Sequence, residues 1–197
     1  MTSSPDRTAD LLRPVLDDLA TVVGGVRQEQ AHHPTPCTAY DVARLRQHVL
    51  GWLTVFADGF ADPGGQAAAG IDGYDVPTDA AAAVRGAAQQ LDRAVRDGAT
   101  SRPLRLGESA LPGGMALSMI LWEYQVHGWD LARATGQPWS PPVEAAEESL
   151  AFAPMMLTED NQGEGKAFSP RVPVPDDAPA LDRLLGLSGR DPRWSAP

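Results

Sequence analysis

Apolar residues in this chain recur at helical spacing and almost nowhere at strand spacing. Leu11, Leu12, Val15, Leu19, Val22, Val23 and Val26 fall on one face of a helix. Val42, Leu45, Val49, Trp52, Leu53 and Phe56 repeat the pattern. No convincing strand alternation appears; only Leu104–Leu106 allows a short extended piece. Successive amphipathic helices bury their stripes by packing on one another. The expected fold class is therefore all-α.

Punctuation divides the chain further. The first helix is expected over about 6–31, with Pro14 early in it and Gly24-Gly25 weakening its later part. Two prolines in "HHPTPCTAYD" break the chain, and Thr38 with Asp41 forms a capping-box-like start for a second helix reaching Phe60. "DPGGQAAAGIDGYDVP" reads as a loop. Thr78 or Asp79 then caps an Ala-rich third helix over about 80–97. A fourth is expected over about 115–134, stopped by Gly136. A fifth covers about 142–158, with Pro142 in its first turn and Pro154 kinking or splitting it. Four longer helices with a long link between the second and third suggest a four-helix bundle with a crossover. Residues 1–160 form the expected bundle. Residues 161–197 form an irregular tail, with a short helix around Ala180–Leu187 and with Phe168 and Trp194 packing on the bundle.

Length and charge exclude several functions. At 197 residues the chain suits one domain, or one domain and a tail, with a core of its own. Its net charge is −10 and Lys166 is its only lysine. That repels nucleic acid and anionic membranes, which need clustered cations. The single cysteine, Cys37, leaves no disulfide within the chain. No apolar run resembles a signal peptide or a membrane span, so the cytoplasm is the expected compartment.

The chemistry concentrates in "LWEYQVHGWDL", residues 121–131. Glu123 and His127 lie four apart and share a helix face. His48 lies beside the apolar stripe of the second helix and is the best third donor. His48, Glu123 and His127 would form a His₂Glu set with a position left open, the pattern of catalytic rather than structural zinc. Nickel or iron(II) would also accept it. The spacing also fits an internal hydrogen-bonded Glu–His pair in a purely structural bundle, the commoner role for a histidine on an apolar stripe. Asp130 can orient the His127 imidazole or serve as a capping or surface group. Cys37 reads as small, buried and inert, without a nearby His or Lys in sequence. His32 and His33 are expected in solvent, as are Arg44 and Arg46. Trp52, Trp122 and Trp129 are expected as core and pocket wall.

"PTPCTAYDVARLRQHVLGWL" with "WEYQVHGWDLARATGQ" resembles the DinB-like superfamily. The nearer likeness is to the stand-alone metal-binding branch related to the N-terminal domain of mycothiol-dependent maleylpyruvate isomerase. "GKAFSPRVPVPDDAPALDRLLGLSGRDPRW" resembles that branch too, so the likeness spans nearly the whole chain. It implies a DinB-like bundle with a divalent metal, zinc foremost, on His48, Glu123 and His127. It also implies a mycothiol-type thiol as cosubstrate and a small-molecule electrophile as substrate, in S-transfer or isomerisation. The isomerase's C-terminal substrate-binding domain is expected to be missing here, which argues against maleylpyruvate itself. The alternative is a non-catalytic metal or small-ligand binding bundle. A homodimer is compatible with the fold, though no stripe marks an interface.

Overall fold

The computed structural model describes residues 4–196. Residues 1–3 and 197, the outer ends of the expected bundle and tail, lie outside the described residues. Among those described there are six α-helices: α1 Pro5–Gly24, α2 Val42–Ala61, α3 Ala80–Arg96, α4 Gly113–Thr135, α5 Val143–Phe152 and α6 Ala180–Leu187. The mostly helical expectation holds. The short extended piece allowed at Leu104–Leu106 is β2; its partners β1 Gln66–Ala67 and β3 Ser109–Leu111, which complete a small sheet, were missed. β1 pairs with β2 in parallel, and β2 with β3 antiparallel. Strands of two and three residues are too short for alternation to register in sequence. The β2–β3 turn is carried by Gly107, whose φ of 60° suits the first central position of a two-residue hairpin.

Local chemistry moved three boundaries. α1 stops at Gly24, well before residue 31. The Gln137 side-chain amide donates to Val22 O at 3.0 Å, satisfying a carbonyl that a longer helix would have used. Pro14 is an interior residue of α1 rather than an early one, and the helix runs through it. At α2 the cap is Asp41, not Thr38; its carboxylate accepts from Arg44 N at 2.9 Å. Asp79 caps α3 by accepting from Ala82 N. Pro142 precedes α5 as its cap instead of sitting in its first turn, and α5 gives way to a 3₁₀ turn at Pro154. Gly136, with φ of 69°, ends α4 as expected.

Helices α1 to α4 share one apolar core, with α1 and α2 each packed on both α3 and α4. A second cluster joins Trp122, Val126 and Trp129 on the outer side of α4 to Phe152, Leu157, Leu184 and Leu185. α4 thus lies between two apolar layers. That is why polar groups along it are enclosed in protein. Phe168 and Trp194 both pack against these clusters. Among the described residues no helix is long and apolar enough to cross a membrane.

Candidate metal centre

Two neighbouring residues set the register between α2 and α4. Tyr124 is fully buried, and its hydroxyl donates to Val49 O at 3.1 Å. Glu123 adjoins Tyr124 and His48 adjoins Val49, so this bond brings the carboxylate opposite the imidazole. His48 Nε2 lies 3.5 Å from Glu123 Oε1. His127, one turn along α4, brings its Nε2 within 3.3 Å of the same oxygen. The structure thus gathers the three residues singled out from the sequence, with ligand atoms all within 4.8 Å of one another.

Those separations suit an ion. Ligands at 2.0–2.1 Å from a tetrahedral zinc stand about 3.3–3.4 Å apart. The two N–O distances match that edge and are long for strong hydrogen bonds. The donors also face open space: the Glu123 side chain is 26% exposed and that of His48 17%. They line a cleft of about 230 Å³ whose walls include Tyr40, Trp122 and Phe168.

The His127 ring is held from behind. Its Nδ1 lies 3.0 Å from Oδ2 of Asp130, a carboxylate with no exposed surface. An ionised carboxylate only accepts, so Nδ1 carries the proton. With His127 in its neutral form, the Nε2 lone pair then points at the other donors. Asp130 also accepts from Arg190 Nη2 at 3.0 Å.

Electrostatics follow from these contacts. Burial alone would raise the Glu123 carboxyl, but hydrogen bonds from His127 and His48 outweigh it and hold the group far below the usual carboxylate range. Burial works to lower His127, yet its hydrogen bonds to Asp130 and Glu123 prevail and push it up to about 9. In the absence of an ion, these contacts favour the protonated His127 ring.

Other sequence readings divide. Trp122 is both core and cleft wall, as expected. His32, His33 and Arg44 are exposed, but Arg46 is half-buried, with its Nε enclosed and unpartnered. Cys37 is half-buried and lies within 4.8 Å of His127 and Asp130 in ligand-atom terms. Its histidine neighbour in space is therefore His127, whereas His33, four residues before it in sequence, is exposed. Burial pushes its thiol up, and the Arg190 charge opposes that only in part. Sequence reasoning missed Tyr40 and Arg190. Tyr40 packs against His48 with its ring tilted by 34° and the centroids 4.9 Å apart. Its place in the proline-bounded turn just before α2 was the available signal. Arg190 had none, because it follows α6 in a segment without periodicity.

A cleft formed between two helices and lined by two imidazoles and a carboxylate defines a class of helical protein with a prospective metal centre. Residues 12–132 match the mycothiol maleylpyruvate isomerase N-terminal domain family, and the chain belongs to that family. This is consistent with the DinB-like resemblance. Two relatives in Mycobacterium tuberculosis are the uncharacterized proteins MT0763, of strain CDC 1551, and Rv0738, of strain H37Rv. Each is 33% identical over 177 residues, covering 90% of this chain and 94% of its own. No solved structure matches the chain significantly.

Proposed function

We propose that the protein holds a divalent metal, zinc foremost, on His48 Nε2, Glu123 and His127 Nε2. We further propose that it uses the metal to act on a small electrophile with a low-molecular-weight, mycothiol-type thiol. One observation carries the reading: two imidazole nitrogens stand 3.5 and 3.3 Å from one carboxylate oxygen at the wall of an open cleft. Family membership supports the thiol, and the DinB-like four-helix arrangement of α1–α4 belongs to the same proposal. When bound, such an ion supplies Lewis acidity toward the cleft and makes a thiol or water that binds it more acidic.

The chain's own residues do the rest. Asp130 holds the Nδ1 proton of His127 and so keeps Nε2 free to donate its lone pair. Trp122, Phe168 and Tyr40 wall the cleft and exclude water from a bound substrate. Sulfur addition to an activated double bond, rotation and loss of the thiol would isomerise the substrate. Retention of the adduct would be S-transfer.

Metal content of tag-free protein purified with metals available tests the first part. Wild type should hold about one equivalent, and His48→Ala and His127→Ala should hold far less. Wild type without metal would refute the centre. Calorimetry with the thiol, run on metal-loaded and metal-free protein, tests the second part. Metal-dependent binding supports the enzyme; metal without thiol binding leaves the non-catalytic binding module.

A further inference from the structure

The tail after α5 lies outside the matched residues 12–132, yet it reaches the centre. α6 ends in a Schellman turn: Gly189 N–H bonds to Gly186 O at 3.1 Å and Arg190 N–H to Leu185 O at 2.9 Å. Gly189 takes a φ of 81°, and a Cβ there would approach Ser169 Cβ to 2.7 Å. The reversal returns the chain to α4 at two points. Ser188 Oγ accepts from the Trp122 indole at 2.9 Å in a buried bond. The Arg190 guanidinium meets Asp130, with Nη2 at 3.0 Å and Nε at 3.4 Å from Oδ2. Its Nη1 donates to Ser188 O at 2.6 Å, which fixes the fork's orientation.

We infer that Arg190 is a positioning residue of the candidate metal centre, acting through Asp130 on the His127 ring. The inference rests on the metal reading above. Asp130 has no exposed surface and the Arg190 side chain only 10%, so neither can turn to water for a partner. An imidazole that binds a metal through Nε2 is neutral. The full positive side-chain charge against Asp130 is then that of Arg190. Without it, a buried carboxylate loses its counterion, which is costly, and nothing fixes the angle at which it receives Nδ1–H. A planar fork also specifies that angle better than an ammonium does.

Cobalt(II) titration tests this on full-length protein, reading affinity and the visible ligand-field spectrum. The set is wild type, Arg190→Met, Arg190→Lys, Asp130→Asn and the Arg190→Met/Asp130→Asn double variant. Arg190→Met should bind about 10–100-fold more weakly, as losses of ligand-orienting partners do, with shifted visible bands. Arg190→Lys should recover part of the loss. The double variant should bind no more weakly than Asp130→Asn alone, because Arg190 acts through Asp130. A merely structural arginine would lower the melting temperature of the metal-free protein and leave the folded protein's affinity and spectrum unchanged. That result, or additive losses in the double variant, overturns the inference. If wild type takes up no cobalt, the metal reading itself fails, and the positioning role is read in metal-free, ¹⁵N-labelled protein. The Nδ1 proton of His127 should exchange slowly in wild type and faster in Arg190→Met. Equal exchange overturns the role independently of metal.

Discussion

His127 is the residue on which the candidate site turns. In the metal-free protein it is pushed up to about 9 from an ordinary 6.5, so the folded state favours the charged ring. That contribution to stability is fully present below about pH 6.5 and is lost as pH rises through about 9. Chelator-treated protein should therefore show falling urea midpoints between those pH values. Metal-loaded protein should lack this fall, because the ion takes the neutral ring. A flat metal-free profile would refute the assignment. Asp41 is a second single-residue case. It caps α2, and its hydrogen bond from Arg44 N–H holds its carboxyl below the usual range. Asp41→Ala should cost about 1 kcal/mol by urea denaturation at neutral pH. A depressed carboxyl stabilises above its unfolded pKa, so the difference between the two proteins should shrink as the medium turns acid.

At the scale of elements, the contact between α2 and the small sheet depends on a missing side chain. A Cβ on Gly59 would stand 2.6 Å from both Ala67 Cβ and Leu104 Cδ1. Ala67 Cβ is fixed to its backbone and cannot swing aside. Gly59→Ala should therefore destabilise by about 1–3 kcal/mol through overpacking, despite alanine's better helix propensity. Thermal unfolding checks this, and an unchanged or raised melting temperature would contradict the packing. Helix existence was legible from period and punctuation, as with α6 at Ala180–Leu187 and the stop at Gly136. The end of α1 was marked only by the weakening pair Gly24-Gly25, because Gln137, more than a hundred residues away, takes up its carbonyl. The Thr38 start of α2 failed because Thr38 and Asp41 are both acceptable caps, and only the folded turn chooses between them.

For the whole molecule, the consequential feature is that α4 is covered on both sides. One layer is the core shared by α1–α4; the other is α5, α6 and the tail. Leu184 is fully buried in the second layer. Leu184→Ala should cost about 2–5 kcal/mol. If the layers unfold as one, the transition should stay single and limited proteolysis should not release the tail ahead of the rest. Early release, or a second transition, would mean that the tail is an independent unit.

The sequence by itself determined the helical class and most helix positions, and it singled out His48, Glu123 and His127 as candidate ligands. Helical periodicity and i,i+4 spacing are local properties that any chain displays on its surface. Only the tertiary structure decided that His48 meets Glu123, through the Tyr124–Val49 hydrogen bond that fixes the register of α2 on α4. It alone brought Cys37, Tyr40 and Arg190 to the same cleft. Those residues carry no shared period. They converge because a turn before α2 and a turn after α6 both close over the same face of α4, where burying apolar surface outweighs the cost of ordering the chain.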